Sequence, residues 1–174
     1  MKSLIITLTL TAILQILLLL TPVNADNKSI VAFNDPIEFS QCTTSRGSPV
    51  HTSYDRKPIK SAADYAVAWR IKDAAPTYYY IHLNYDTFHD APVAAREWVW
   101  FHECGHHQLG HTLDIERYAE STQSIIAAEN AADCFASREF FKTRQMSELA
   151  TAFKWMNKEM GMSTLRLDRI KRCK

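Results

Sequence analysis

His102, Glu103 and His106 stand in the run Phe101-His102-Glu103-Cys104-Gly105-His106-His107-Gln108-Leu109-Gly110-His111, and their types and spacing point to metal-assisted hydrolysis. On an α-helix, residues four apart project from one face, about 40° apart, so His102 and His106 can hold one ion together. Glu103 falls on the flank of that face. A carboxylate there reaches water at the metal without becoming a ligand, which is the position of a general base. Catalytic zinc usually takes three protein ligands and keeps one position open, so two histidines are not enough. Glu129 is the expected third ligand. It lies in a helix-favouring stretch and shares a face with Asp133. Asp133 is placed to accept the second ring N–H of a ligating histidine, which fixes that ring's tautomer and direction.

The pattern His102-Glu103-x-x-His106 followed by Glu129-x-x-Ala132-Asp133-x-x-Ala136 resembles the gluzincin metallopeptidases. Among these it is more similar to the zinc endopeptidases of the CAAX-prenyl-protease and heat-shock type than to thermolysin. The run from His102 to His111 is similar to theirs as well, and the resemblance covers roughly residues 98–140. It implies one Zn2+, a peptide or protein substrate, and a zincin-like pair of active-site helices. It also implies an oxyanion stabiliser, for which His111, Tyr118 and His82 are the candidates. A strand just ahead of the zinc helix would line the cleft and pair with extended substrate. The metzincin pattern fails on spacing, because Leu109 and Thr112 occupy the positions where it needs Gly and His.

Other readings of these residues involve no hydrolysis. One is a zinc-binding interaction module with the metal helix as a stable centre; another is an exported metal-sequestering protein that uses the dense histidines. Glu103 favours the enzyme, since a closed structural site has no use for an acid/base carboxylate. Of the remaining histidines, His107 points about 140° from His102 and reads as structural. His51 reads as a solvated loop residue. His111 suits a second metal, a substrate carbonyl or simply the negative end of the helix dipole.

Several elements must position these residues, and together they describe an α+β, mainly helical single domain with a small sheet. Pro92 opens a helix that runs to about Leu109, apolar nearly all round and stopped by Gly110. Gly105 in mid-helix costs about 1 kcal/mol relative to alanine, so it is expected to admit a closely packed neighbour. Thr122 to about Arg144 reads as a second long helix whose apolar positions, among them Ile125, Ile126, Ala132 and Phe135, pack on the first. A third helix is capped by Ser147 and ends before Gly161. Thr77–Leu83 is strand-like, and Ser61 caps a helix to about Lys72. Ser29–Phe33 and Ile37–Cys42 read as short strands, Thr43–Pro58 and Asn84–Ala91 as loops, and Thr112–Ser121 as a polar rim or lid. The basic C-terminus, with Arg166, Arg169, Lys171, Arg172 and Lys174, reads as a solvated face.

The N-terminus carries Lys2, an apolar stretch from Leu4 to Leu20, and Val23-Asn24-Ala25. It reads as a signal peptide over residues 1–25, with the peptidase-like domain over 26–174, and the competing reading is an uncleaved membrane anchor, since Leu4 to Leu20 is just long enough to span a bilayer. The expectation is an exported protein, periplasmic or secreted, with no membrane attachment once the signal is cleaved. Loss of Lys2 leaves 19 basic against 19 acidic residues, which gives no electrostatic case for nucleic acid. Cys42, Cys104, Cys134 and Cys173 are then disulfide candidates. Cys104 lies about 200° round the helix from His102, so a bond across the site is awkward, and the pairings favoured are Cys134 with Cys173 or Cys42 with Cys134.

Overall fold

The computed structural model describes residues 41–55, 66–71 and 77–173. The expected signal peptide, the strand over Ser29–Phe33, most of that over Ile37–Cys42, the Ser61 cap and Lys174 lie outside those residues. The described part is an α+β domain, mainly helical, with one small mixed sheet.

The sheet has the order β1-β3-β2, from β1 (Val50–Asp55), β2 (Ala66–Ile71) and β3 (Tyr78–Asn84). β3 runs parallel to β1, with Val50 opposite Tyr79, and antiparallel to β2, with Ala66 opposite Leu83. Its tyrosines and Ile81 favour a pleated surface, as expected for this strand. Two expectations are corrected. Val50–Asp55 is strand rather than loop, and residues 66–71 are strand where helical spacing predicted a helix. Ala66 and Trp69 satisfy a helical period, but Val67, Trp69 and Ile71 satisfy a period of two equally well. The ladder to β3 decides between them, because it pairs the backbone groups on the inner edge along the whole length of the strand. A third correction follows from the strand order. β3 is central and both its edges are occupied, so it has no edge for substrate; β2 borders the cleft instead, through Ala66, Val67 and Ala68.

The helices are α1 (Tyr85–Phe88), α2 (Val93–Gln108), α3 (Ile115–Ala119), α4 (Thr122–Thr143), α5 (Met146–Met160) and α6 (Thr164–Ile170). α1 is a single turn within the expected loop, begun by Asn84, whose side chain accepts from the Asp86 N–H. α2 is buried on almost every side, with Trp98 and Trp100 in the core beside Phe140, Phe153 and Met156. Fully burying a large apolar side chain contributes roughly 1.5–3 kcal/mol, so this cluster anchors the site helix. α4 crosses α2 at Gly105. A β-carbon built there would meet Phe135 Cδ1 at 3.0 Å and the Ala132 Cα at 3.3 Å, which is the close packing that the glycine predicted. Ile125 and Ile126, expected to pack inward, are 46% and 51% exposed, and Ile125 faces the cleft. α5 is capped by Gln145 in a box with Glu148, not by Ser147, and ends at Gly161 with φ of 66°.

Two disulfides fasten the edges of this helix pair: Cys42–Cys104 and Cys134–Cys173, with Cα separations of 5.8 and 4.9 Å. Of the two favoured pairings, Cys134 with Cys173 forms and Cys42 with Cys134 does not. Cys104 does face away from His102, and the loop carrying Cys42 lies on that far side. There the Ser45 N–H donates to the His107 carbonyl at 3.0 Å, and Gln108 Nε2 donates to Thr43 Oγ1 at 2.9 Å.

Candidate active site

One turn of α2 and one turn of α4 face each other and bring together four of the expected residues. His102 Nε2 lies 3.2 Å from His106 Nε2. Each of these nitrogens lies 3.3 Å from a different oxygen of Glu129. Donor atoms about 2.0–2.1 Å from a tetrahedral zinc are separated by about 3.3 Å, so the donor set present fits that ion. Behind the pair, His102 Nδ1 lies 3.0 Å from Asp133 Oδ1. The approach is oblique, outside good hydrogen-bond alignment, and the contact is an ion pair. Trp98 stacks on the His102 ring at 5.6 Å and limits its swing.

These groups open into a cavity of about 430 Å3. Glu103, His111 and Tyr118 line it beside His102, His106 and Glu129. Its remaining wall is largely apolar, with Trp98, Val99, Ile115, Ile125 and Met162. The connection expected to form a rim does so, as α3 supplies Ile115, Tyr118 and Ala119.

The other histidines separate cleanly. His111 Nδ1 lies 2.9 Å from His106 Nδ1, and the His111 ring lies 4.4 Å from that of Tyr118. His107 is fully buried; its Nε2–H donates to the Tyr80 carbonyl at 2.9 Å and its Nδ1 accepts from the Thr112 hydroxyl at 2.9 Å, so it joins α2 to β3. His82 is not brought to the cavity. It alternates with Ile81 and Leu83 on β3 and reaches Ser53 Oγ on β1 at 3.3 Å. His51 is exposed on β1, near the Tyr80 ring.

Sequence reasoning missed Arg166. Its Nε donates to Asp133 Oδ2 at 2.9 Å and its Nη2 to Asp133 Oδ1 at 2.7 Å, with Glu129 Oε2 3.5 Å away. Arg169 also turns inward, 3.7 Å from Asp133 Oδ2. The basic end of the chain is therefore not wholly a solvated face; Lys171 and Arg172 alone keep to that expectation among the described residues. The signal was present as a charge imbalance. Glu103, Glu129 and Asp133 all face one small site, and buried carboxylates need cations.

The electrostatics follow from this crowding, in the metal-free protein. Burial alone would lower the pKa of His102, but the Asp133 and Glu129 carboxylates, with the field of Glu103, outweigh it and raise it to about 9. Burial would raise Glu129, yet His102 and His106 hold it far below the usual carboxylate range. Asp133 is likewise lowered, with His102 and Arg166 overcoming its burial. His111 moves the other way, to about 4, through burial and the neighbouring His106. His107 falls to about 4 through burial, against the Tyr80 carbonyl.

The fold and site together are those of a small α+β domain whose partly apolar cleft holds a His/His/Glu cluster able to bind a metal. Residues 50–166, from β1 to Arg166, match the family described as Peptidase U49, and the chain belongs to that family. It is thus a peptidase family member whose substrates are peptides or proteins. Neither a curated protein nor a solved structure matches the chain.

Proposed function

We propose that this peptidase is zinc-dependent and of gluzincin type, with His102, His106 and Glu129 holding the ion and Glu103 acting as general base. The observation that carries the reading is the 3.2–3.3 Å triangle of His102 Nε2, His106 Nε2 and the Glu129 carboxylate, the spacing that tetrahedral zinc requires. When bound, zinc polarises a peptide carbonyl and acidifies water. Glu103, on the cavity wall next to His102, takes the proton of the attacking water on its carboxylate and returns it to the leaving amine. Asp133 keeps the His102 ring turned so that Nε2 faces the cavity. His106 donates from Nδ1 to His111 Nδ1, which leaves the His106 Nε2 as a lone pair and puts the proton of His111 on its Nε2. With His82 outside the cavity, the His111 Nε2–H and the Tyr118 hydroxyl are the two donors on its wall available to stabilise the oxyanion.

Substrate lies extended along β2, whose outer edge meets no other strand among the described residues. Export of the chain is supported by the composition of residues 1–25 and by the two disulfides. The test is peptide-library cleavage by zinc-loaded protein with both disulfides intact, beside Glu103→Gln. Cleavage by the parent and a loss of at least about a hundredfold in the variant are expected. A zinc-loaded parent that cleaves nothing would overturn the reading in favour of a binding module.

A further inference from the structure

Asp133 is fully buried in the middle of α4, where a carboxylate is costly unless it is paired and hydrogen-bonded. His102 does not satisfy it alone, because its Nδ1 approaches a single oxygen and obliquely. Arg166 takes the rest, with one nitrogen on each oxygen. A planar guanidinium that grips both oxygens fixes the plane of the carboxylate as well as balancing its charge. The same Nη2 reaches toward Glu129 at 3.5 Å. One side chain therefore touches both the carboxylate that faces the two histidine Nε2 atoms and the carboxylate behind His102.

Arg166 also comes from an element outside the helix pair. It sits in the first turn of α6, where its own N–H donates to the Ser163 hydroxyl at 3.2 Å. Ile170, fully buried, pins the far end of α6, and the Cys134–Cys173 disulfide ties that end to α4 one residue from Asp133. The helix is thus held at both ends in the place that the fork needs.

We infer that Arg166 is a positioning residue of the candidate zinc site: its fork on Asp133 sets the direction of the His102 ring, and its Nη2 sets the place of Glu129. The inference rests on the zinc reading above. A bridge that served stability alone would also hold α6 to α4, so the test must read the metal's surroundings. Arg144 supplies the comparison, because it donates to Glu97 at 2.7 Å and to Glu148 at 2.9 Å, joining α2 to α5 away from the cavity.

Zinc affinity is measured by chelator competition, and the visible absorption of the Co2+-substituted protein is recorded, for the parent, Arg166→Gln, Arg166→Lys and Arg144→Gln, each with disulfides intact and with a thermal melt. Arg166→Gln is expected to weaken zinc binding by about 10–100-fold and to change the cobalt spectrum. Arg166→Lys should recover part of the affinity, since it keeps the charge but cannot grip both oxygens. Arg144→Gln should lower the melting temperature and leave affinity and spectrum as in the parent. Parent-like affinity and spectrum in folded Arg166→Gln would overturn the inference while the zinc reading stands. If Arg166→Gln does not fold, Arg166→Lys decides, and parent-like values there overturn the fork. A parent that takes up no zinc overturns both readings together.

Discussion

Asp133 Oδ1 stands 3.0 Å behind His102 Nδ1, and the ring is thereby turned with Nε2 toward the cavity. The direction of a side chain on α2 is set from α4, with Trp98 as a second support. The chemistry proposed for the motif therefore depends on how two helices dock.

Glu103→Gln keeps the shape of the cavity wall and removes the base. Zinc content by metal analysis should match the parent, and peptide cleavage should fall by about a hundred- to ten-thousand-fold. Cleavage at the parent rate in this variant would remove Glu103 from the role proposed for it.

Glu129→Ala and Asp133→Asn act on different shells and should differ in size. The first deletes a proposed ligand and should abolish stoichiometric zinc binding; full occupancy would sink the third-ligand assignment. The second should cost about 10–100-fold in affinity, as losses behind a ligand do.

Protons compete with zinc for His102. In the metal-free fold its pKa is raised from 6.5 to about 9, so the stabilisation it draws from Asp133 and Glu129 is complete below about 6.5 and is lost as pH rises through about 9. Zinc must displace that proton below about 9. Affinity should therefore rise by up to about tenfold per pH unit between 7 and 9, with a proton released, as calorimetry in buffers of different ionisation enthalpy would record. An affinity independent of pH over that range would contradict this. Glu129 and Asp133 shift downward and add nothing to the slope there.

Gly105→Ala sets helix propensity against packing. Alanine gains about 1 kcal/mol in a helix interior, but its methyl group meets Phe135 and the Ala132 backbone at 3.0–3.3 Å, and overpacking of this kind costs about 1–3 kcal/mol. A lower melting temperature is expected, with a further drop for Gly105→Val. A rise for Gly105→Ala would mean that α4 can step back without cost.

The helices were legible because they carry redundant signals. The α2 run has its proline start, its glycine stop and its apolar surface, and the carboxylates of α4 fall at the spacing that puts both on the α2 side. β2 was not legible, because alanine-rich residues at 66–71 fit two periods and only the partner strand chooses between them. The Cys42–Cys104 bond depended on where a loop lies in space, which residue spacing does not carry. Ile125 and Ile126 are apolar and helical yet exposed, and of the two Ile125 lines the cleft. Arg166 lay hidden in a basic run that locally looks like any solvated terminus, and its partner is 33 residues away.

The placement of Arg166 and Cys173 has a consequence for the order in which a chain leaving the ribosome acquires its parts. Both histidines, both glutamates and Asp133 are made before α6, so a nascent or stalled chain that stops short of residue 164 holds three clustered carboxylates and lacks Arg166 to balance them. The fork on Asp133 closes only after Arg166 has emerged and docked, and the far end of α6 is fastened only when Cys173 has been oxidised onto Cys134. The last-made part of the chain thus supplies the last contacts of the site.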